Sequence, residues 1–421
     1  MSSTNHSRNA IVIIGILFFI FGFVTWLNGT LIPFLKIACE LESDIQAFFV
    51  TTAFYMAYFF LALPSAVILK KTGYKNGMAL GLLVMAIGSL IFVPAANARS
   101  FALFLFGLFV QGMGLALLQT ASNPYISIVG PIESAAQRIS IMGICNKIAG
   151  ALSPLILSAI ILKNAGELET QIANSTDVIQ KNILLDELAS RVIGPYIVMA
   201  VILILLAYMI QRSGLPEIDM NQKETVKVTE VREKTSVFQF PHLMLGVLCL
   251  FVYVGVEVIA GDAIGTYGKA MGMSIDKTKY FTTFTLVAML AGYIIGIFTI
   301  PKYVSQQTAL KISALVGIVF SVCIYVTDGY TAITFIALLG LANALMWPAI
   351  FPMAIAGLGK FTEIGSALLV MGIVGGAIIP VLYPYLRVEQ GLPNNLAFLI
   401  CTLPCYFYIL YYSIKGYKAG K

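Results

Sequence analysis

Long apolar runs recur along almost the whole chain, separated by short polar segments. Each run is long enough for a helix of roughly 20 residues, the length that crosses the hydrocarbon core of a bilayer. The run at 10–35 is too long for a signal peptide, so we expect it to be retained as a helix. The pattern predicts an all-α polytopic membrane protein with twelve spans, at about 10–35, 47–69, 77–96, 101–128, 139–163, 191–211, 242–268, 279–300, 308–327, 331–357, 364–386 and 394–414.

The longest strongly polar segment lies between the sixth and seventh predicted spans. It runs from Gln211 to Lys234 and separates two sets of six spans. We therefore predict an N-terminal six-helix half at 1–211, a cytoplasmic linker at 212–238 and a C-terminal six-helix half at 239–421. This organisation resembles the major facilitator architecture, in which inverted repeats enclose a substrate near the middle of the membrane.

Composition excludes several classes of protein. Hydrophobic residues make up 59% of the chain and charged residues 11%, which leaves no sizeable soluble domain. The chain has no HExxH motif, phosphate-binding loop or nucleophile elbow, so we expect no enzyme and no cofactor. The net charge of +6 arises mainly from Lys and Arg in the loops on the side of the termini, which predicts that both termini are cytoplasmic. No basic patch interleaved with aromatics indicates a nucleic-acid partner.

Three ionisable residues, Lys147, Glu257 and Asp262, lie inside apolar runs long enough to cross a bilayer. A charge at the centre of a membrane costs at least about 2.5 kcal/mol, so such residues tend to face a cavity, a partner or a substrate. Glu257 and Asp262 lie about 140° apart on an ideal helix and cannot both face one cavity. Glu257 is expected near mid-depth. Asp262, nearer the outer surface, is either an ion ligand or a solvated helix end.

Polar residues on the fourth and fifth spans are predicted to meet. Gln119 and Asn123 share one helical face, and Asn146 and Lys147 lie at a similar depth, ~12–13 Å from the inner ends of their helices. Their amides and ammonium group suit a sugar, because its hydroxyl groups need paired donors and acceptors. Structural contact between helices is the alternative for each amide.

Two further spans combine an amide with an aromatic ring. Asn28 follows Trp26 in the first span, and Asn343 precedes Trp347 by one helical turn in the tenth. A pyranose presents an apolar face on which such rings stack. Asn28, Asn343 and Trp347 complete the predicted sugar site, with Asn28 the weaker candidate.

Segment 119–138, QTASNPYISIVGPIESAAQR, resembles the E/Q-T-A-A-N-P-Y-x-x-x-L-G-P-x-E-S pattern of the fucose–galactose–glucose:proton symporter family of the major facilitator superfamily. Supporting stretches are YVGVE at 253–257 and WPAIFP at 347–352. The similarity is greatest to bacterial glucose/galactose or N-acetylglucosamine permeases. It implies a sugar importer in the bacterial inner membrane that works as a monomer in the lipid bilayer.

The chain departs from this family at the presumed proton carriers. Fucose-type members have an aspartate where this chain has Gly29 and a glutamate where it has Gln119, whereas Asn146 matches an asparagine that contacts sugar. Three alternatives stay open: a proton carried by Glu257 or Asp262, a sodium ion near these two carboxylates, or no coupling. Lys147 is either a direct sugar ligand or an internal cation for the ion site.

The sequence predicts a secondary transporter that imports a neutral hexose such as glucose or galactose together with Na+ or H+. An N-acetylglucosamine permease or an uncoupled sugar uniporter is the alternative, and a drug or organic-anion exporter is less favoured because no arginine lies deep in a span. The predicted substrate-binding residues are Asn28, Gln119, Asn123, Asn146, Lys147, Glu257, Asn343 and Trp347. The predicted ion-coupling residues are Glu257, Asp262 and Lys147.

Overall fold

The computed structural model describes residues 2–128, 135–175, 177–215, 235–300 and 302–420. Within these ranges the chain is helical, with no β-strand. Most of the predicted linker, residues 216–234, lies outside them, as do residues 129–134 of the 119–138 segment. The helices are α1 Ser2–Thr25, α2 Asn28–Ala38, α3 Asp44–Asn97, α4 Phe101–Ile128, α5 Ala135–Ile161, α6 Ala165–Asn174, α7 Val178–Ser190, α8 Ile193–Arg212, α9 Pro241–Asp262, α10 Ile264–Ala270, α11 Ile275–Thr278, α12 Phe281–Thr299, α13 Gln306–Val326, α14 Gly329–Asn343, α15 Met346–Ile355, α16 Thr362–Met371, α17 Gly375–Val388 and α18 Asn394–Ile414.

Eleven helical stretches in the described ranges are long and apolar enough to cross a membrane. The longest, α3, has 54 residues and would extend roughly 80 Å if straight, against a hydrocarbon core of roughly 30 Å. Gly73 interrupts it with φ of 77° and ψ of 167°, a conformation that glycine adopts without steric cost. Because α3 therefore crosses twice, the predicted twelve spans are confirmed.

The first, seventh, tenth and eleventh spans are interrupted helices. Breaks fall at Trp26–Leu27 before α2, at Ala263 before α10, at Ala344–Leu345 before α15 and at Gly372–Val374 before α17. Irregular backbone at membrane depth is tolerated where it is buried in protein or lines a cavity. These interruptions therefore indicate where a polar site can be built.

Glycines bring neighbouring helices into backbone contact. A Cβ atom on Gly114 would lie 2.4 Å from the carbonyl oxygen of Gly81 on α3, and one on Gly375 would lie 1.8 Å from that of Phe251 on α9. Neither contact leaves room for a side chain. Small residues thus allow the close packing that membrane helices use in place of hydrophobic collapse.

Residues 2–215, here called the first half, and residues 235–420, the second half, contact each other along two seams. In one seam α5 packs on α12, and in the other α3 packs on α16 and α17. The Thr283 hydroxyl donates to the Ala151 carbonyl at 3.2 Å in the first seam. The Thr52 hydroxyl donates to the Ala377 carbonyl at 2.8 Å in the second.

Ion pairs join the halves at the end of the bundle opposite the termini. Asp44, at the start of α3, pairs with Arg387 on α17 and also with Lys36 on α2. Lys269 on α10 pairs with Glu169 at 2.6 Å. Glu169 belongs to α6, which with α7 lies between the fifth and sixth spans. The two halves are therefore held together at this end.

Candidate functional site

A cavity lies between the two halves, and six of the predicted site residues line it. These are Gln119, Asn123, Asn146 and Lys147 from the first half with Glu257 and Trp347 from the second. The cavity is also lined by aromatic residues, among them Phe18, Phe21, Trp26, Tyr55, Tyr58, Tyr253 and Tyr293. The structure thus brings the polar stripe of α4, the polar pair of α5 and the carboxylate of α9 to one space.

Lys147 and Glu257 form an ion pair across the cavity. The ammonium Nζ donates to Glu257 Oε1 at 2.8 Å, and the two side chains are only 8% and 11% exposed. Lys147 comes from the first half and Glu257 from the second, so the bond joins the halves near the middle of the membrane. Removing one member of such a buried pair leaves the other charge uncompensated, which costs about 3–5 kcal/mol.

Trp26 lies beside this ion pair at the break between α1 and α2. The Lys147 ammonium is 4.7 Å from the centre of its ring, within the range of a cation–π interaction. The indole fits because two glycines leave space for it. A Cβ on Gly150 or on Gly261 would come within 2.5 Å or 2.3 Å of the ring atoms. One glycine belongs to each half, so the ring occupies a slot that both halves form.

Two predicted amides are fixed by hydrogen bonds at the edge of the cavity. Gln119 Nε2 donates to the Tyr58 hydroxyl at 3.0 Å. Asn146 Nδ2 donates to the Phe18 carbonyl at 3.3 Å, and α1 approaches closely enough there that a Cβ on Gly22 would overlap the Asn146 carbonyl, 1.8 Å away. Each amide keeps further hydrogen-bonding capacity, since a carboxamide has two donor hydrogens and an acceptor oxygen.

Trp347 lines the cavity from the second half, in the first turn of α15 just after a helix break. Its ring stacks on Phe351 with 5.8 Å between centres and lies 6.5 Å from that of Tyr253. The tyrosines are among the lining residues that sequence reasoning missed, as are Phe18 and Phe21. Tyr55 and Tyr58 stand three residues apart on α3; hydroxylated aromatics repeating at this spacing in an apolar run were the available signal.

Asn343 and Asn28 do not line the cavity. Asn343 Oδ1 accepts from the Tyr406 hydroxyl at 2.9 Å, and its Nδ2 donates to the Val256 carbonyl at 3.5 Å, so this amide joins α14 to α9 and α18. Asn343 and Trp347 do not share one helical turn as expected, because α14 ends at Asn343. Asn28 begins α2 and is fully buried, with neither amide atom hydrogen-bonded within the described residues.

Asp262 ends α9 away from the cavity, as expected for two carboxylates about 140° apart. It is 1% exposed, so a solvated helix end is wrong. The backbone N–H of Gly29 faces it, yet neither carboxylate oxygen has a hydrogen-bond partner of adequate geometry in the described part of the chain. No group of three or more His, Cys, Asp or Glu residues suited to a metal occurs in the same ranges.

The sequence profile of the Major Facilitator Superfamily matches residues 14–384. The chain belongs to this superfamily. It is 33% identical to the glucose/galactose transporter of Brucella abortus, with 99% of this chain and 96% of that protein aligned. It is 31% identical to a putative glucose/galactose transporter of Helicobacter pylori, covering 96% of this chain and 95% of that protein. The predicted family resemblance is thereby confirmed.

The fold of this facilitator protein is also found in a solved structure of the fucose:proton symporter of E. coli. The two structures agree with a TM-score of 0.75 at 25% identity, over 96% of this chain and 97% of the symporter. The predicted twelve-span facilitator architecture is thus confirmed. Membrane insertion follows from the spans, because helices of this length and apolarity satisfy their backbone groups within lipid.

Proposed function

We propose that this protein imports a neutral hexose, glucose or galactose, by cation-coupled symport. The observation that carries the proposal is the central cavity, where an ion pair, amides and aromatic rings from both halves face one space. The substrate class is supported by relatives named glucose/galactose transporters that align over nearly the whole chain. On this proposal the protein is a transporter rather than an enzyme, and it needs no cofactor beyond its coupling ion.

The chemistry of the cavity suits a sugar. A hexose hydroxyl group both donates and accepts hydrogen bonds, and Lys147 supplies donors while Glu257 supplies acceptors. Trp26 and Trp347 offer ring faces to the apolar side of a pyranose. Gln119, Asn123 and Asn146 provide amides around them. Asn28 and Asn343 have no part in sugar binding in this proposal, because they lie outside the cavity lining.

The charge of the site favours a neutral substrate. Lys147 and Glu257 balance each other, so a sugar binds by sharing their hydrogen bonds without leaving a net charge buried. An organic anion would bring an additional negative charge next to Glu257, which is costly in a poorly solvated space. This balance supports direct sugar contact as the role of Lys147 and argues against an organic-anion exporter.

Transport requires the site to open to each side in turn. We place both termini in the cytoplasm of a bacterial inner membrane, in keeping with the distribution of Lys and Arg. The end tied by Asp44 with Arg387 and by Lys269 with Glu169 then faces outward. Sugar entry from outside requires these contacts to separate, with the two halves of a single monomer rocking about the cavity.

Counterflow in proteoliposomes tests the proposed substrate. Vesicles loaded with unlabelled glucose are diluted into trace labelled glucose, and competitors are added outside at equal concentration. We expect transient accumulation of label that galactose suppresses and L-fucose suppresses less. The hexose assignment is overturned if no hexose exchanges, or if N-acetylglucosamine exchanges and glucose does not. Empty vesicles provide the control for leakage.

A further inference from the structure

Asp262 lies at a contact between the two halves that is separate from the central cavity. It ends α9 in the second half, and Gly29 faces it from α2 in the first half. A Cβ atom on Gly29 would lie 3.1 Å from Asp262 Oδ1 and 2.6 Å from Thr282 Oγ1 on α12. Three helices thus converge on one carboxylate, and the glycine leaves room for it.

Other buried polar groups lie on the helices that meet at this carboxylate. The Thr282 and Thr285 hydroxyls donate to the carbonyls of Gly261 and Ala260 at 2.8 Å and 2.9 Å. Asn28, one residue before Gly29, is fully buried with both amide atoms unpaired within the described ranges. A buried amide and a buried carboxylate that both lack partners indicate that a component of the site is supplied from outside the protein.

The missing component is positive charge. Glu257 is already compensated by Lys147, whereas no ion pair reaches Asp262 in the described part of the chain. The titratable groups that act on Asp262 are Glu257 on its own helix and Tyr55 on α3. Neither supplies a cation, while α2 and α12 present Gly29 and Thr282. An ionised Asp262 is therefore left with an unbalanced charge at 1% exposure.

We propose that Asp262 is the carboxylate that takes up the coupling proton, at a site distinct from the sugar cavity; the assignment rests on the proposed symport function. A proton needs only one carboxylate oxygen, whereas a metal cation needs a shell of several oxygen ligands, and no group of three or more His, Cys, Asp or Glu residues that could hold a metal occurs in the described ranges. Protonation converts the carboxylate and a hydronium ion into a neutral carboxyl group and water, and release reverses the step. No other bond changes.

A second pocket provides the route for this proton. It lies at the end opposite the termini and is lined by Gly29, Lys36, Asp44, Gly265, Thr278 and Arg387. Gly29 borders both this pocket and the Asp262 carboxylate. The ion pairs of Asp44 with Arg387 and Lys36 also border it, so opening this end for sugar also brings water to Asp262. Sugar entry and proton entry are thereby linked to one conformational change.

Proteoliposomes with separately imposed gradients test this assignment. Sugar accumulation is measured with a pH gradient at equal Na+, and again with a Na+ gradient at equal pH, and each value is divided by counterflow without a gradient. We expect the pH gradient alone to drive the wild type, and Asp262→Asn to lower its accumulation-to-counterflow ratio at least tenfold. Asp276→Asn is the matched control, since this aspartate lies near the same end but is 47% exposed, and we expect it to leave the ratio unchanged.

A second pair of variants covers a failure of Asp262→Asn to fold. Asp262→Gly is compared with Gly29→Asp/Asp262→Gly, which supplies the carboxylate from the facing helix. We expect the double variant to regain at least a third of the wild-type ratio and the single variant to lack it. Full accumulation by Asp262→Asn, no recovery in the double variant, or stimulation of the wild type by Na+ alone would each overturn the assignment. Absence of counterflow in the wild type would instead refute the hexose function.

Discussion

Glu257 and Asp262 are two carboxylates on one helix, five residues apart, in opposite circumstances. Glu257 lines the central cavity and is paired with Lys147 at 2.8 Å. Asp262 is more deeply buried and has no partner for either oxygen within the described residues. Five residues of an α-helix turn them about 140° apart, so the same helix presents one carboxylate to the cavity and the other to α2.

The difference separates two tasks that a symporter must link. The charge of Glu257 is already balanced by Lys147, so this carboxylate accepts hydrogen bonds without a cation from outside the protein. This suits a neutral ligand. An uncompensated carboxylate in a buried site changes its free energy strongly when a cation binds. Because both belong to α9, movement of this helix alters both sites together, which connects sugar binding to proton binding without contact between them.

The largest expected effect comes from neutralising the two carboxylates in turn. Glu257→Gln leaves Lys147 buried and unpaired, so we expect a loss of about 3–5 kcal/mol in the free energy of unfolding. Asp262→Asn removes a charge that has no partner, and we expect no loss. Thermal unfolding in detergent measures both. Equal destabilisation by the two variants would contradict the difference between a paired Glu257 and an unpaired Asp262.

A double variant checks the origin of that loss. Lys147→Met combined with Glu257→Gln removes both charges, and we expect it to recover most of the thermal stability but none of the hexose counterflow. Lys181→Met is the matched surface control, because its partner Glu40 lies 2.6 Å away with both side chains more than a third exposed. We expect this exposed pair to contribute about 0–1 kcal/mol.

A smaller effect distinguishes the two asparagines outside the cavity. Asn343→Ala leaves the buried Tyr406 hydroxyl without its acceptor, so we expect a loss of about 1–3 kcal/mol. Asn28→Ala breaks no hydrogen bond within the described residues, so we expect a smaller loss than for Asn343→Ala. Thermal unfolding under the same conditions measures both. A larger loss for Asn28→Ala would show that the Asp262 site is already satisfied.

The smallest effect concerns sugar affinity in the central cavity that Glu257 lines. Gln119→Ala removes one amide from the cavity, and we expect the concentration for half-maximal counterflow to rise about fivefold, the equivalent of one net hydrogen bond of about 1 kcal/mol. Gln111→Ala is the control on the same helix. Its Nε2 donates to the Ser89 hydroxyl at 2.8 Å, away from the cavity, so affinity is expected to stay constant. A shift of the same size in Gln111→Ala would remove the support for a sugar site at Gln119.

The sequence was sufficient to predict the fold and much of the cavity. Apolar runs specify the spans because lipid requires helices, and the cost of buried charge singles out Lys147 and Glu257. Helical spacing places Gln119 and Asn123 on one face. These features depend on local chemistry, which a single sequence displays directly.

The contacts between distant residues were not predictable in the same way. Asn343 was the stronger of two predicted amides near a tryptophan, yet a helix break places it against Tyr406. In the sequence, Gly29 indicated only the loss of the carboxylate that fucose-type members have at this position. Only the packing of α2 against α9 shows that this glycine faces Asp262. Such relations depend on tertiary packing, which the spacing along one helix does not determine.

The glycine at position 29 also bears on how such transporters diverge. A carboxylate on α2 and one at the end of α9 would occupy the same small volume, and two negative charges at that distance do not both stay ionised. A sequence intermediate between an acid on α2 and an acid on α9 therefore has either two carboxylates that share one proton or a glycine in place of one acid. An alignment of the first span alone would class this chain as lacking a proton carrier at position 29. The carboxylate of Asp262 nevertheless reaches the same volume from the other half.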